Sequence, residues 1–244
     1  ITAPTGTSVL IPLEDLPQGP RTYMELEKKL HEQDTSIPLT ISRQKNIAVT
    51  KGVIVKMSGS VKITTKGSSA AHDANLSEIL GEGDRIETGA NGIIEIKFDN
   101  GNGINLKPDT RLLITRLVID PKTGEYENLF ESDMGKIRAR IENLKGKSKF
   151  EVKTPTAVSG ARGTIMFTTI LPALTQAYFE GGNGYLSSLI SGVTKLIASG
   201  ENASAYDNGN ITDPIYTPDS ERESLGEGWE PGTGVEGYSS PEGA

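Results

Sequence analysis

Hydrophobic and polar positions alternate along most of the chain from Ile47 onward. The segments GVIVKMSGSVKITT, GIIEIKFDNGNGINL, TRLLITRLVI and GKIRARI combine this alternation with many β-branched residues, which is typical of strands with one buried face. Turn residues separate them, such as Asp99–Gly101, where Asn and Gly tolerate the positive φ of a tight turn. Short strands broken by turns in this way predict an all-β roll, barrel or sandwich.

One segment has a different period. In YLSSLISGVTKLIASG the large apolar side chains recur at the spacing of one helical face: Leu186, Leu189, Ile190, Val193, Leu196 and Ile197. Gly192 and the β-branched pair Val193–Thr194 oppose a helix. Periodicity alone therefore predicts a helix here, which these three residues weaken.

The first 46 residues predict an extended N-terminal arm with a short helix. Val9, Ile11 and Leu13 alternate as on one side of a strand, and Pro12 restricts such a strand to an edge. A short apolar patch of this kind needs a covering surface, either its own domain or the sheet edge of a neighbouring copy. We therefore predict that these three residues form an assembly arm. The capping-box pattern Thr22–Glu25 predicts the helix.

Residues 214–244 are rich in Gly, Pro and acidic residues. Seven acidic residues against the single base Arg222 give this segment −6 of the whole chain's −7. The composition predicts a disordered acidic tail that follows a β-domain at residues 47–213. The rest of the chain is nearly neutral and lacks the clustered Lys and Arg of a nucleic-acid-binding surface, so we expect no nucleic-acid partner.

Composition also limits the available chemistry. The chain has no cysteine, which excludes disulfides, thiolate nucleophiles and cysteine-ligated metals. No apolar run approaches the roughly 20 residues of a membrane-spanning helix, so we expect no membrane insertion. The first residue is Ile1 rather than Met, which fits a processed or truncated product and an exported protein.

Catalytic and metal-binding patterns are missing from the sequence. His31 and His72 are far apart and do not make a metal site, and Ser187–Ser188 have no nearby histidine to activate a nucleophile. The oxygen-rich stretches that begin at Asp99 and Asp207 lack the spaced calcium loop with its terminal Glu, so turns are the favoured interpretation. We therefore predict no enzymatic activity, no metal and no cofactor.

The segment TPTAVSGARGT places one arginine among small residues, directly before a hydrophobic run. Three interpretations are open: a ligand-binding loop, an anion cradle formed by the arginine and neighbouring amides, or a tight backbone corner. A corner would use the fixed φ of a proline, glycines that permit close backbone approach, and an arginine whose planar donors reach carbonyls or a carboxylate. The residues concerned are Pro155, Gly160, Arg162, Gly163 and Thr164.

An ordered set of phrases in the sequence resembles the FecR domain family. The phrases are GVIVKMSGSVKI, GEGDRIETGANGIIEIKFDNG, LKPDTRLLI, GKIRARI and FEVKTPTAVSGARGTIMFTT, of which the last is the most specific. The family is known from regulators of iron transport and from many exported bacterial proteins. The resemblance implies an all-β domain of roll or solenoid-like character over about residues 47–213, and strands for 185–206. It also favours the structural-corner interpretation of Arg162 over the anion site.

The terminal segments lead to our main functional prediction, a non-enzymatic, exported structural subunit. It would self-assemble through its arms into an extracellular filament, sheath or tube, as a homo-oligomer or polymer. The alternative is a periplasmic or cell-surface signalling or interaction module related to the iron-transport regulators, and a third is a carbohydrate-binding or lytic accessory module. For the location, the main prediction favours the extracellular space or cell surface over the periplasm.

Overall fold

The computed structural model describes residues 47–142 and 145–229. The chain divides into two units before Ile47, and every described residue belongs to the second. Several predictions lie outside the described residues: those for Val9, Ile11 and Leu13, for the helix after Thr22, and for His31. The side chain of Arg162 also lies outside the description, although its backbone does not.

Ten strands contribute to one sheet, sheet A. They are β1 (Ala48–Val49), β3 (Val61–Thr64), β4 (His72–Asp73), β6 (Arg85–Thr88), β9 (Arg111–Ile119), β10 (Tyr126–Arg140), β11 (Lys149–Lys153), β12 (Ala157–Arg162), β15 (Asn183–Ser188) and β16 (Thr194–Ile197). The order is β4–β3–β6–β9–β10–β11–β12–β15–β16, and β1 pairs with the far end of β9. Among these ladders, β10–β11 is parallel and the others are antiparallel.

The second sheet, sheet B, is antiparallel throughout the described residues and takes the C-terminal half of β10. Its other strands are β2 (Gly52–Ser58), β5 (Ile79–Leu80), β7 (Ile93–Phe98), β8 (Gly103–Leu106), β13 (Ile165–Leu171), β14 (Leu174–Glu180), β17 (Glu201–Tyr206) and β18 (Ile215–Tyr216). The order is β5–β2–β7–β8–β10–β13–β14–β17–β18. One helix of the described part, α1 (Asp219–Gly226), follows β18.

Strand β10 joins the two sheets. Its first part, up to Met134, pairs with β9 in sheet A, and its second part, from Gly135, pairs with β8 and β13 in sheet B. The change of sheet occurs at Gly135, which has a φ of 110°. A single 15-residue strand therefore fixes the position of each sheet relative to the other.

The core lies between the sheets and follows the alternation in the sequence. In β7, every second residue is buried: Ile94, Ile96 and Phe98 point inward and the residues between them are half-buried. The largest core side chains include three phenylalanines whose rings form a column, with centroid distances of 5.5 Å from Phe98 to Phe130 and 5.2 Å from Phe130 to Phe150. The predicted all-β class is confirmed.

The segment with helical periodicity consists of strands, as the family resemblance implies. Leu186 on β15 and Ile197 on β16 are buried, whereas Leu196 is 80% exposed and Ile190 lies in the turn between the strands. The apolar residues therefore do not share one buried face. The cross-strand pairing of β15 with β12 and β16 outweighs the local spacing.

The C-terminal segment differs from the expected disorder as far as Trp229. Strand β18 extends sheet B, helix α1 follows, and the Trp229 side chain is only 3% exposed. It packs with Phe167 and Tyr178, and Leu225 adds to this cluster. Two apolar side chains anchor a segment whose average composition is acidic and polar.

Candidate interaction surface

A groove of about 380 Å³ lies on the outer face of sheet A, across β6, β9, β10 and β11. Residues beside buried positions supply its walls: Arg85 and Glu87 flank the buried Ile86, and Arg111 and Leu113 flank the buried Leu112. The charged side chains of the groove are Arg85, Glu87, Arg111, Glu131, Asp133 and Lys153. Three are cationic and three are anionic.

Two ion pairs hold part of the groove. Arg111 binds Asp133 with both ends of its guanidinium, through Nε to Oδ1 at 3.0 Å and Nη2 to Oδ2 at 2.9 Å. The Lys153 ammonium donates to Glu131 Oε1 at 3.0 Å. All four side chains are about half exposed, so each pair contributes on the order of 0–1 kcal/mol to folding. Their main effect is to orient the charged groups.

Arg85 and Glu87 form no ion pair with another described residue. Glu87 stands directly opposite Arg111 in the β6–β9 ladder, and Arg85 stands opposite Leu113. Both side chains belong to exposed residues. The groove therefore presents one free cation and one free anion beside oriented ion pairs, an arrangement suited to a polar protein segment with charges of both signs.

The surface continues from the groove along β11, β12 and β15 to Gly160. The Tyr185 ring lies against Gly160, where a Cβ atom would come within 2.3 Å of Tyr185 Cζ. The Tyr185 hydroxyl donates to Glu151 Oε1 at 2.7 Å. Gly160 thus allows a close contact with the chain across the sheet, and the group that contacts it is the Tyr185 ring rather than backbone. Tyr185 and Glu151 were not expected from the sequence, because 34 residues separate them.

The predicted corner residues occupy several separate places. Pro155 lies in the tight turn between β11 and β12 and lines the groove. Gly163 has a φ of 63° and open space where a Cβ would stand, and the Thr164 hydroxyl donates to the Glu180 carbonyl at 2.7 Å. Arg162 pairs through its backbone with Asn183. Its roles as a corner anchor and as an anion ligand both stay predictions.

A chain of buried hydroxyls fixes the turn beside Pro155. Thr156 Oγ1 donates to Thr175 Oγ1 at 2.7 Å, and Thr154 Oγ1 lies 2.7 Å from the same Thr175 atom. Thr154 Oγ1 also lies 3.0 Å from the Ala157 carbonyl and 3.0 Å from its amide. All three threonines are buried. The turn at the groove wall is therefore tied to β14 of sheet B.

We expect Thr175→Val to destabilise the fold by about 1–3 kcal/mol. The substitution leaves the Thr156 hydroxyl without its partner and removes one hydrogen-bond partner of the Thr154 hydroxyl. Thr175→Ser keeps the hydroxyl and should retain most of the stability. Chemical denaturation of the three proteins measures the effect. A valine variant as stable as the wild type would show that the hydroxyl chain contributes nothing.

The GEGD and IETG phrases build turns rather than a ligand site. The Asp84 carboxylate accepts backbone N–H groups of Lys66 and Gly81, each at 2.8 Å. The Thr88 hydroxyl donates to the Lys107 carbonyl at 2.7 Å and accepts the Thr110 amide at 2.9 Å. These bonds set where β6 and β9 begin, and those strands carry the groove.

The other candidate sites of the sequence have structural surroundings. His72 Nε2 lies 2.7 Å from Glu78 Oε1 on the surface. Asp99 Oδ2 accepts the Lys51 amide at 2.9 Å, and the Ser188 hydroxyl oxygen accepts amides of the following turn. Residues 47–142 and 145–229 contain no group of three or more side chains arranged to hold a metal ion. In the same residues, no helix is long and apolar enough to span a membrane.

Two crystal structures of a putative anti-sigma factor from Parabacteroides distasonis ATCC 8503, at 2.50 and 1.65 Å resolution, are similar to this chain. Each shares 13% sequence identity and covers 59% of this chain, with TM-scores of 0.47 and 0.48. The chain spans 64% and 65% of the length of those proteins, just under two thirds. No curated protein matches the sequence.

A family model described as FecR protein matches residues 84–173. All twelve residues that line the groove lie within this segment. The match overturns the main functional prediction: FecR proteins are regulators, so the prediction of a filament, sheath or tube subunit is wrong, and the signalling alternative agrees with the match. The resemblance seen in the sequence is thus confirmed by the match of residues 84–173 to the FecR model.

Proposed function

We propose that this chain is a signalling or interaction module of the FecR type, which binds another protein through the groove of sheet A. The observation that carries the proposal is that the family match contains the whole groove. FecR proteins are known from the regulation of iron transport, so the bound protein would be another component of a regulatory relay.

The chemistry of the groove supports a protein ligand rather than a small cofactor. Its charges are balanced, its ion pairs are exposed, and two charged side chains are free within the described residues. Exposed ion pairs of this kind exchange readily, because water screens both partners. Complementary charges around a groove raise the association rate and select the partner.

Three further properties belong to the proposal. The module acts without catalysis, in keeping with a regulatory family. It is exported, and it acts on the outer side of the cytoplasmic membrane, either at the cell surface or in the periplasm. Its β-domain is a roll of solenoid-like character, which is supported by a chain path that alternates between sheets A and B.

Charge reversal in the groove tests the proposal. We expect Arg85→Glu to weaken partner binding by at least about tenfold, which corresponds to about 1.4 kcal/mol. The variant should keep its melting temperature, because Arg85 is exposed. In the native host, a photo-crosslinker beside Arg85 identifies the partner, and transcript profiles compare the variant with a deletion strain.

Lys122→Glu is the matched control, since Lys122 is an exposed cation in the turn between β9 and β10 and does not line the groove. It should bind the partner and regulate like the wild type. The proposal fails if deletion of the gene changes no defined set of transcripts, or if Arg85→Glu and Lys122→Glu behave alike.

A further inference from the structure

The outer face of sheet B carries cations beside aromatic rings. Phe167 on β13 and Tyr178 on β14 are cross-strand neighbours with ring centroids 5.6 Å apart. Arg138 on β10 stands opposite Phe167, with its Cζ 5.8 Å from the ring. Lys107 follows β8 beside them. We call these four side chains the sheet B face.

Residues 218–229, which contain helix α1 and which we call the strap, cover this face. Trp229 meets Phe167 edge-on at 5.8 Å, and the Lys107 ammonium lies 4.7 Å from the Trp229 ring. Leu225 packs into the same cluster, and its carbonyl accepts the indole N–H of Trp229. The two rings of the face are 3–4% exposed, although they lie on the outside of the sheet.

Strand β18 and the buried Thr217 hold the chain just before the strap. Within the strap, the packing contacts with the face come from Trp229 and Leu225. Helix α1 has eight residues, none of them buried, and Pro218 at its N-terminus makes no capping bond from its side chain. A helix this short is marginal by itself in water. Arg138 Nε on the face beneath has no hydrogen-bond partner among the described residues. The strap thus occupies the face through one aromatic anchor and satisfies the polar groups there incompletely.

Charge makes the strap a suitable occupant and indicates what else would fit. One of its acidic residues, Glu227, interacts with Lys107, and the other acidic residues are exposed. Burial and the neighbouring Lys136 nonetheless hold the pKa of Lys107 below its ordinary value. Two cations of the face, Lys107 and Arg138, thus lie beside the rings, and Glu227 is the strap carboxylate that interacts with Lys107. A ligand with one aromatic side chain and several carboxylates would satisfy both features of the face.

We propose that the sheet B face is a docking site for an acidic peptide segment with one aromatic side chain, and that the strap is its resident occupant. A partner segment of this chemistry binds by displacing residues 218–229. The strap is covalently attached and acts at a high effective concentration, so it lowers the apparent affinity of the partner until it is released. This inference is independent of the groove on sheet A and of the proposed function.

The single tryptophan of the chain makes the exchange visible. The probe is a synthetic peptide of residues 218–229 with phenylalanine in place of Trp229. Added to the full chain, it should shift the Trp229 emission to longer wavelength in a saturable manner, as the indole leaves its buried site. Raising the salt concentration should weaken binding, because Debye screening reduces the attraction between the acidic peptide and the cationic face.

Variants separate docking from simple structural packing. With a fluorescein-labelled probe measured by anisotropy, Trp229→Ala should bind at least about tenfold more tightly than the wild type, because the resident anchor is gone. Glu227→Arg keeps the tryptophan, weakens the strap and should shift affinity in the same direction. Adding Lys107→Glu to either variant should abolish binding. Adding Lys122→Glu instead should leave binding unchanged, because Lys122 is an exposed residue in the β9–β10 turn.

Several outcomes would overturn the proposal. One is an affinity that is equal in the wild type and in both strap variants. Another is the absence of saturable binding to Glu227→Arg while circular dichroism shows that it is folded. Equal binding of poly-glutamate, which has no aromatic side chain, would replace the proposed site with a nonspecific anion surface.

Discussion

Replacing Gly135 with alanine is expected to destabilise the protein by about 3 kcal/mol or more, which corresponds to a loss of roughly 6–12 °C in melting temperature. Two physical costs add at this position. Gly135 has a φ of 110°, which residues with a Cβ rarely adopt. The added methyl group would also lie 2.2 Å from Thr110 Oγ1 and 2.5 Å from Thr110 Cα.

The surroundings of Gly135 cannot easily move away. Thr110 is buried, its Oγ1 accepts the Lys136 amide at 3.0 Å, and its own amide is bound by Thr88. One of the clashing atoms belongs to the backbone, so a rotamer change cannot relieve the overlap. Because β10 changes sheets here, a shift would disturb the β9 pairing in sheet A and the β8 and β13 pairings in sheet B.

Gly163→Ala is the matched control for this prediction. Gly163 also has positive φ, 63°, but no atom lies within 4 Å of the position of its Cβ. Its substitution should cost only the strain of the left-handed conformation, about 1–2 kcal/mol. Thermal unfolding of both variants tests the difference, and equal melting temperatures would contradict the tight contact between Gly135 and Thr110.

The strands could be predicted because a strand with one buried face has apolar residues at every second position. In β7, the alternating apolar residues Ile94, Ile96 and Phe98 are the buried ones. The β15–β17 region could not be predicted from its residues, because Leu189 and Ile190 in an exposed turn complete a false helical stripe. Only the resemblance to FecR sequences, which carries information on pairing between distant strands, favoured strands there.

The candidate surfaces were beyond prediction because they depend on register across the sheets. The groove joins Arg85 to Lys153 through three ladders, one of them the parallel pairing of β10 with β11. Local sequence sets none of these registers. The strap could not be predicted for another reason. Trp229 is one aromatic residue within an acidic segment, and the average composition of that segment does not indicate that a single side chain is buried.

The other large expected effect is that Phe130→Ala destabilises the protein by about 3–5 kcal/mol. Phe130 is 1% exposed and stands between Phe98 of sheet B and Phe150 of sheet A. Truncation removes the middle ring of the column that connects the two sheets. The surrounding strands are hydrogen-bonded on both sides, so they cannot collapse fully into the cavity.

Met134→Ala on the same strand provides the comparison, because Met134 is 37% exposed and its loss opens no cavity in the core. We expect that variant to stay within about 0.5 kcal/mol of the wild type. Urea unfolding with a common m-value measures both free energies. A similar loss of stability in the two variants would contradict the prediction. It would mean that the phenylalanine column does not hold sheets A and B together, and that the core can rearrange to fill the space of a missing ring.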